Sequence, residues 1–359
     1  MRELIRKLDS QKELDREELV YMLSHRNDNP EDREYLFQLA RERAIENYGH
    51  QIYLRGLIEF TNYCKNDCYY CGIRAGNNKA ERYRLTEDQV MDCCDAGYGF
   101  GFRTFVLQGG EDPWYTDDRI CHMVARIRDK YPDCAITLSI GEKERTSYQK
   151  FFDAGADRYL LRHETADPCH YRKLHPEALS IEHRKKCLRD LKDIGYQIGA
   201  GFMVGSPYQT YENLADDFLY LKDLQPHMIG IGPFIHHSDT PFRDMADGTL
   251  EMTLFCLGML RLMFPKVLLP ATTALGTIDP LGREKGVQAG ANVVMPSLSP
   301  KGVRGKYLLY DGKICTGEEA AECHHCMEMR MERIGYKTVS ARGDYKGWSR
   351  GAAGACDER

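Results

Sequence analysis

The chain has 359 residues and a net charge of −5; 42% of its residues are hydrophobic and 29% are charged. This excludes a disordered, collagen-like or low-complexity chain and supplies apolar material for a large core. No apolar run approaches the ~18 residues that span a bilayer. The N-terminal MRELIRKLDSQKELDREE has no apolar signal-peptide core, and a mildly acidic chain lacks the clustered Lys and Arg of a general nucleic-acid binder. A cytoplasmic monomer without membrane or nucleic-acid partners is the expectation.

Residues 1–50 read as an N-terminal helical extension, with Asn29-Pro30 as a break. From residue 51 to 310 short β-rich runs alternate with amphipathic helical stretches. The runs are Arg55–Phe60, Thr104–Gln108, Ala135–Ser139, Tyr159–Arg162, Gln197–Phe202, Met228–Ile231, Lys266–Pro270 and Asn292–Met295. Repeated strand–helix units imply parallel strands with right-handed crossovers, and eight of them close into an α/β fold of the (β/α)8 TIM-barrel kind. An open doubly wound sheet is the rival, weakened because no G-x-G-x-x-G follows the first strand. Residues 311–335 form an accessory cysteine segment, and 336–359 read as a flexible tail. Polar clusters fall just past the strand ends, where a barrel places its chemistry.

The 14 cysteines are too dilute for a disulfide scaffold. Grouped at short spacings, they read instead as metal ligands or catalytic thiols. Cys64, Cys68 and Cys71 form C-x3-C-x2-C after the first strand. Three thiolates on one loop need a distant fourth ligand to close a structural zinc site. They can hold three irons of a 4Fe–4S cube and leave the fourth open to a small chelator. Zinc, or thiols grouped by chance, is the competing reading. Leu160, Arg162 and Glu164 alternate onto one face. An inward Arg and Glu must pair with each other or bind a ligand.

With Tyr70 before its last cysteine, the triplet resembles the signature of the radical S-adenosylmethionine superfamily, whose fold is a full or partial (β/α) barrel. The resemblance implies a 4Fe–4S cluster on Cys64, Cys68 and Cys71. It further implies S-adenosylmethionine on the open iron and no catalytic side chain beyond these two groups. It implies that Gly109, Gly110 and Glu111 form the turn receiving the methionine amino group, that Glu164 binds the ribose, and that Arg184 meets the methionine carboxylate. Tyr70, Gln108, Tyr307 and Tyr310 would complete the cofactor site. On pattern alone, Tyr307 and Tyr310 could share a helical face and could equally be packing residues.

Longer stretches, IEFTNYCKNDCYYCGIR, LQGGEDPWY, DRYLLRHETADP, GAGFMVGSPYQT, GIGPFIHHSDTPF, LPATTALGT and GANVVMPSLSP, resemble the HydE family of FeFe-hydrogenase maturases. This likeness implies a small iron–cysteine complex carrying carbonyl and cyanide as substrate. It also implies a one-electron donor such as ferredoxin or flavodoxin, and the maturases HydG and HydF as partners. A compact anionic substrate calls for convergent positive and hydrogen-bonding groups; Arg55, Arg162, Thr272, Thr273 and Met295 are the candidates. Cys315, Cys323 and Cys326 form C-x7-C-x2-C; some family members bind a second 2Fe–2S or 4Fe–4S cluster there, and a metal-free state is the alternative. Methylornithine synthase and a non-catalytic iron–sulfur scaffold are the rivals. Biotin synthase is disfavoured because the strand ends lack the cysteines its internal cluster needs.

Overall fold

A computed structural model describes residues 1–317 and 320–350, with no side-chain description for 320–323. Three helices open the chain: Arg2–Gln11, Arg16–Ser24 and Pro30–Tyr48. The second begins on a reciprocal Asp15/Glu18 capping box and the third on Asn29 with Pro30 in its first turn. The third lies on the helix Leu250–Met263, where Leu36 comes so near Gly258 that a Cβ there would sit 3.1 Å from it. The helix Leu250–Met263 is apolar almost all round and is buried from Met252 to Met263, as expected of a helix enclosed on both sides.

The strands are β1 (Gln51–Leu54), β2 (Gly56–Thr61), β3 (Thr104–Gly109), β4 (Ala135–Ser139), β5 (Arg158–Leu160), β6 (Gln197–Ala200), β7 (Met203–Val204), β8 (Met228–Ile229), β9 (Gly232–Pro233), β10 (Val293–Val294) and β11 (Lys337–Val339). A parallel sheet runs in the order β2-β3-β4-β5-β6-β8. Single bridges carry it round: Met228 to Leu268, Pro270 to Val293, and Ser297 back to Leu57. The barrel therefore closes, and residues 266–270 complete the ring without forming a strand of their own. Pro265 and Pro270 bracket that run and supply no N–H to a ladder.

The first predicted strand, Arg55–Phe60, corresponds to β2, and a strand that was not predicted, β1, precedes it. β1 sits between β10 and β11 in a separate parallel sheet, and Arg55 lies at the joint between β1 and β2. The segment expected to be a flexible tail is packed as far as residue 350. β11 pairs with β1 in register Gln51 to Lys337. Beyond it, Asp344 reaches Arg158 at 2.6 Å and Gln197 at 2.6 Å, Arg342 lies 3.4 Å from Asp157, and the Trp348 indole donates to the Gly195 carbonyl at 3.0 Å. Gly and Arg suggested a solvated chain; these Arg and Asp side chains instead meet buried partners under the barrel floor. Cys356 lies outside the described residues.

Candidate active site

At the mouth of the barrel, residues 62–85 after β2 carry the three cysteines. The loop is fixed from three sides: the Lys65 amide donates to the Glu111 carbonyl at 2.9 Å, Tyr69 to Leu174 at 3.0 Å, and Gly72 to Leu309 at 2.9 Å. Gly110 permits this docking. A Cβ there would stand 2.2 Å from the Tyr63 carbonyl and 2.7 Å from the Cys64 Cβ. Glu111 is buried and turned to the loop and its neighbour: its carboxylate accepts from the Glu142 amide at 2.9 Å and lies 3.3 Å from Lys65 Nζ. Gly109 faces the cavity; Gly110 and Glu111 support the cysteine loop behind it, and neither lines the cavity.

Burial raises the proton affinity of all three thiols, Cys68 to about 12, so ligation by a metal must release protons. Among the described residues, one trio of His, Cys, Asp or Glu donors gathers within 4.8 Å, and it is Glu142, His183 and Cys187. The Cys64, Cys68 and Cys71 thiols therefore do not all lie within that distance of one another. That spacing fits the wider ligand set of a polynuclear cluster better than a single zinc ion.

Below the loop lies a cavity of about 360 Å³ lined by Tyr70, Cys71, Gln108, Gly109, Glu164 and Arg184, and also by Arg162, Thr272, Thr273, Met295, Tyr307 and Tyr310. Most of the candidates that sequence reading proposed are therefore brought together. Tyr307 and Tyr310 do not share a helical face. The helix Lys301–Arg304 ends before them, and both reach the cavity from irregular chain.

Several side chains are held with defined roles. Tyr70 lies 3.1 Å from His175 Nε2, and His175 Nδ1 lies 3.0 Å from the Tyr171 carbonyl. A carbonyl only accepts, so Nδ1 carries the proton and Nε2 receives the Tyr70 hydroxyl. Burial lowers the pKa of His175 to about 3 and keeps it neutral. Glu164 has φ +66°, a backbone region few side chains adopt. Its neighbours pin it there. The fully buried Asp217 accepts from the Ala166 amide at 2.6 Å and from His163 Nε2 at 3.2 Å. Glu164 meets Arg162 Nη2 at 2.9 Å. Arg184 donates through Nε to Glu142 at 2.6 Å and through Nη1 to the Arg162 carbonyl at 3.0 Å.

Arg55 does not belong to this cavity. It is buried at the barrel floor, its Nη1 is 2.6 Å from Met228 Sδ, and its Nη2 faces the Gly343 carbonyl at 3.4 Å. It shares a strand face with Leu57 and Glu59, but the face descends, and only those two reach the cavity wall. Sequence reading also missed Lys313, which lines the cavity and pairs with Glu59 at 2.6 Å.

A second hollow, also about 360 Å³, is lined by Cys315, Cys326, Arg283 and Arg330. Arg283 contacts Cys315 Sγ at 3.7 Å and Thr273 Oγ1 at 3.2 Å, and so joins this hollow to the main cavity. Cys323 falls in the helix Ala320–Arg333, and its side chain lies outside the described residues.

A closed parallel barrel with a cysteine loop over its C-terminal mouth is the architecture of a radical S-adenosylmethionine enzyme. The profile of the Radical SAM superfamily matches residues 58–221. The FeFe-hydrogenase maturase subunit HydE of Thermotoga maritima is 45% identical over 94% of this chain and 95% of its own. The 3-methylornithine synthase of Methanosarcina barkeri is 30% identical over 86% and 87%. Among solved structures, methylornithine synthase (PylB) superposes with a TM-score of 0.80 at 27% identity over 94% and 97% of the two chains. HydG, a maturase of the FeFe-hydrogenase, superposes with the same score at 19% identity over 94% and 76%, a likeness of fold. The chain belongs to the radical SAM superfamily and, within it, to the HydE family.

Proposed function

We propose that the protein is a maturase of FeFe-hydrogenase acting in the cytoplasm on a small iron–cysteine complex with carbonyl and cyanide ligands. One observation carries this reading: cofactor-side groups (Cys71, Gln108, Gly109, Glu164, Arg184) and substrate-side groups (Arg162, Thr272, Thr273, Met295) line a single cavity. The relationship to the Thermotoga maritima maturase supports it. Cys64, Cys68 and Cys71 would hold the 4Fe–4S cluster. With S-adenosylmethionine bound there, the cluster supplies one-electron cleavage of the sulfonium and a 5′-deoxyadenosyl radical.

The chain's own residues bind and shield. Glu164, fixed by its strained backbone and by Asp217, would hold the ribose hydroxyls. Arg184, fixed by Glu142, would offer its remaining nitrogen to the methionine carboxylate. The Tyr70 hydroxyl proton is committed to His175, which withdraws one abstractable hydrogen from the cavity. Arg162, Thr272 and Thr273 would set the substrate, with a ferredoxin or flavodoxin supplying the electron and HydG and HydF as working partners. Cys315, Cys323 and Cys326 would carry an accessory cluster.

Anaerobic protein given S-adenosylmethionine, a reductant and either the iron–cysteine complex or lysine should consume the iron complex and leave lysine intact. Rearranged lysine would move the assignment to methylornithine synthesis, the second reading, which the 30% identity favours. Replacing Cys64, Cys68 and Cys71 together should abolish both the cluster and cofactor cleavage; retained cleavage would refute the cluster assignment. Replacing Cys315, Cys323 and Cys326 should lower bound iron and leave hydrogenase maturation largely intact, and loss of maturation would make that group essential.

A further inference from the structure

Glu59 and Lys313 form an ion pair on the wall of the main cavity, and the pair is incomplete. Glu59 points inward from β2 and is 2% exposed. Its Oε1 accepts from Lys313 Nζ at 2.6 Å, while its buried Oε2 has no hydrogen-bond partner among the described residues. The Lys313 ammonium has three protons. One goes to Glu59 and a second to the Tyr307 carbonyl at 2.8 Å; no hydrogen bond to a described residue uses the third.

A half-satisfied buried carboxylate is costly, and a pair kept only for the fold would be expected to have its lone pairs filled. The unmet acceptor and the unmet donor lie side by side on one wall. Thr272 Oγ1, on the same cavity, is also buried and has no hydrogen-bond partner among the described residues. A simple anion would be repelled by Glu59 and a simple cation by Lys313. A ligand with an ammonium and a carboxylate on one carbon satisfies both.

We propose that Glu59 and Lys313 receive the amino-acid head of the substrate, Glu59 Oε2 taking the α-ammonium and Lys313 the α-carboxylate. This assignment deepens the maturase reading and rests on it for the identity of the side chain, which is left to face Arg162, Thr272 and Met295. It gives the site a way to demand a complete α-amino acid, because an analogue lacking either group leaves a buried charge unpaired.

The test is calorimetric binding to the anaerobic, cluster-loaded protein, with L-cysteine, 3-mercaptopropionate (no ammonium), cysteamine (no carboxylate) and lysine as probes. Unaltered protein should bind cysteine about tenfold or more tightly than either truncated analogue. Glu59→Gln should erase the preference over 3-mercaptopropionate, and Lys313→Met the preference over cysteamine. Equal binding of cysteine and both analogues by the unaltered protein would overturn the proposal, and this arm stands even if a variant fails to fold. So would unchanged preferences in both folded variants. Binding of lysine instead of cysteine, with the same demand for both groups, would support the Glu59–Lys313 assignment and overturn the substrate named above.

Discussion

Gly110 shows how little room the site leaves. The chain after β3 passes against the cysteine loop so tightly that any side chain would strike the Tyr63 carbonyl and Cys64. Gly110→Ala should therefore displace the loop and lower bound iron per chain severalfold, while the circular dichroism of the barrel is kept; full iron occupancy in that variant would contradict this account of the turn. Glu164 is the second such residue. Its φ of +66° is sustained by the Asp217 and His163 contacts on either side. Asp217→Asn should weaken S-adenosylmethionine binding about tenfold and leave iron content unchanged, as read by calorimetry and iron assay; unaltered affinity would mean that Glu164 holds its place unaided. Arg162, Glu164 and the cysteines were legible because each follows a strand end at short range. Lys313 was not, because its partner is 254 positions away and no local pattern connects them.

The segment 337–350 is the element whose role exceeds its length. β11 adds to the three-stranded sheet with β1 and β10, and the residues after it neutralise charge that the barrel floor buries. Arg158 is 3% exposed, and burial weakens its hold on a proton; Asp344 at 2.6 Å offsets part of this. Asp344→Ala leaves that guanidinium unpaired, at a cost of about 3 kcal/mol, which for a chain of this size should lower Tm by several degrees. An unchanged Tm would show the tail to be dispensable. Arg55 belongs to the same floor. Its misplacement on sequence grounds came from reading a shared strand face as reach into the cavity; alternation predicts which face a residue shares but not how far along the barrel it lies. The tail was misjudged for a related reason: composition reports what a segment tolerates, whereas docking depends on partners elsewhere in the chain.

At the scale of the whole molecule, the ring of strands, the helices between them and the cysteine loop were readable because each carries a local period or spacing. The seventh predicted run, Lys266–Pro270, was located correctly but over-read as a full strand, because its prolines leave it only two bridging contacts. The closed interior also sets the response to acid. Burial lowers the pKa of His163 and His170, of His175 to about 3 and of His227 to about 4. These side chains stay neutral in the folded protein and gain protons near pH 6.5 once unfolded. Their contribution to stability is thus complete above about pH 6.5 and is lost as pH falls below it. Glu59 and Asp217, whose proton affinity burial raises, act in the opposite sense, but the histidines outnumber them. The anaerobic urea midpoint should be lower at pH 5.5 than at pH 7.5, and a higher midpoint at pH 5.5 would contradict this balance.

The central claim is that three thiolates hold a cube with one iron left to S-adenosylmethionine above the cavity of a closed barrel. Electron–nuclear double resonance on the reduced protein, with the methionine amino group of S-adenosylmethionine labelled with 15N, tests it most directly. The account predicts a 15N coupling to the cluster that disappears when Cys64, Cys68 and Cys71 are replaced. A reduced cluster in the unaltered protein with no such coupling, or with a fourth side chain as ligand, would contradict it.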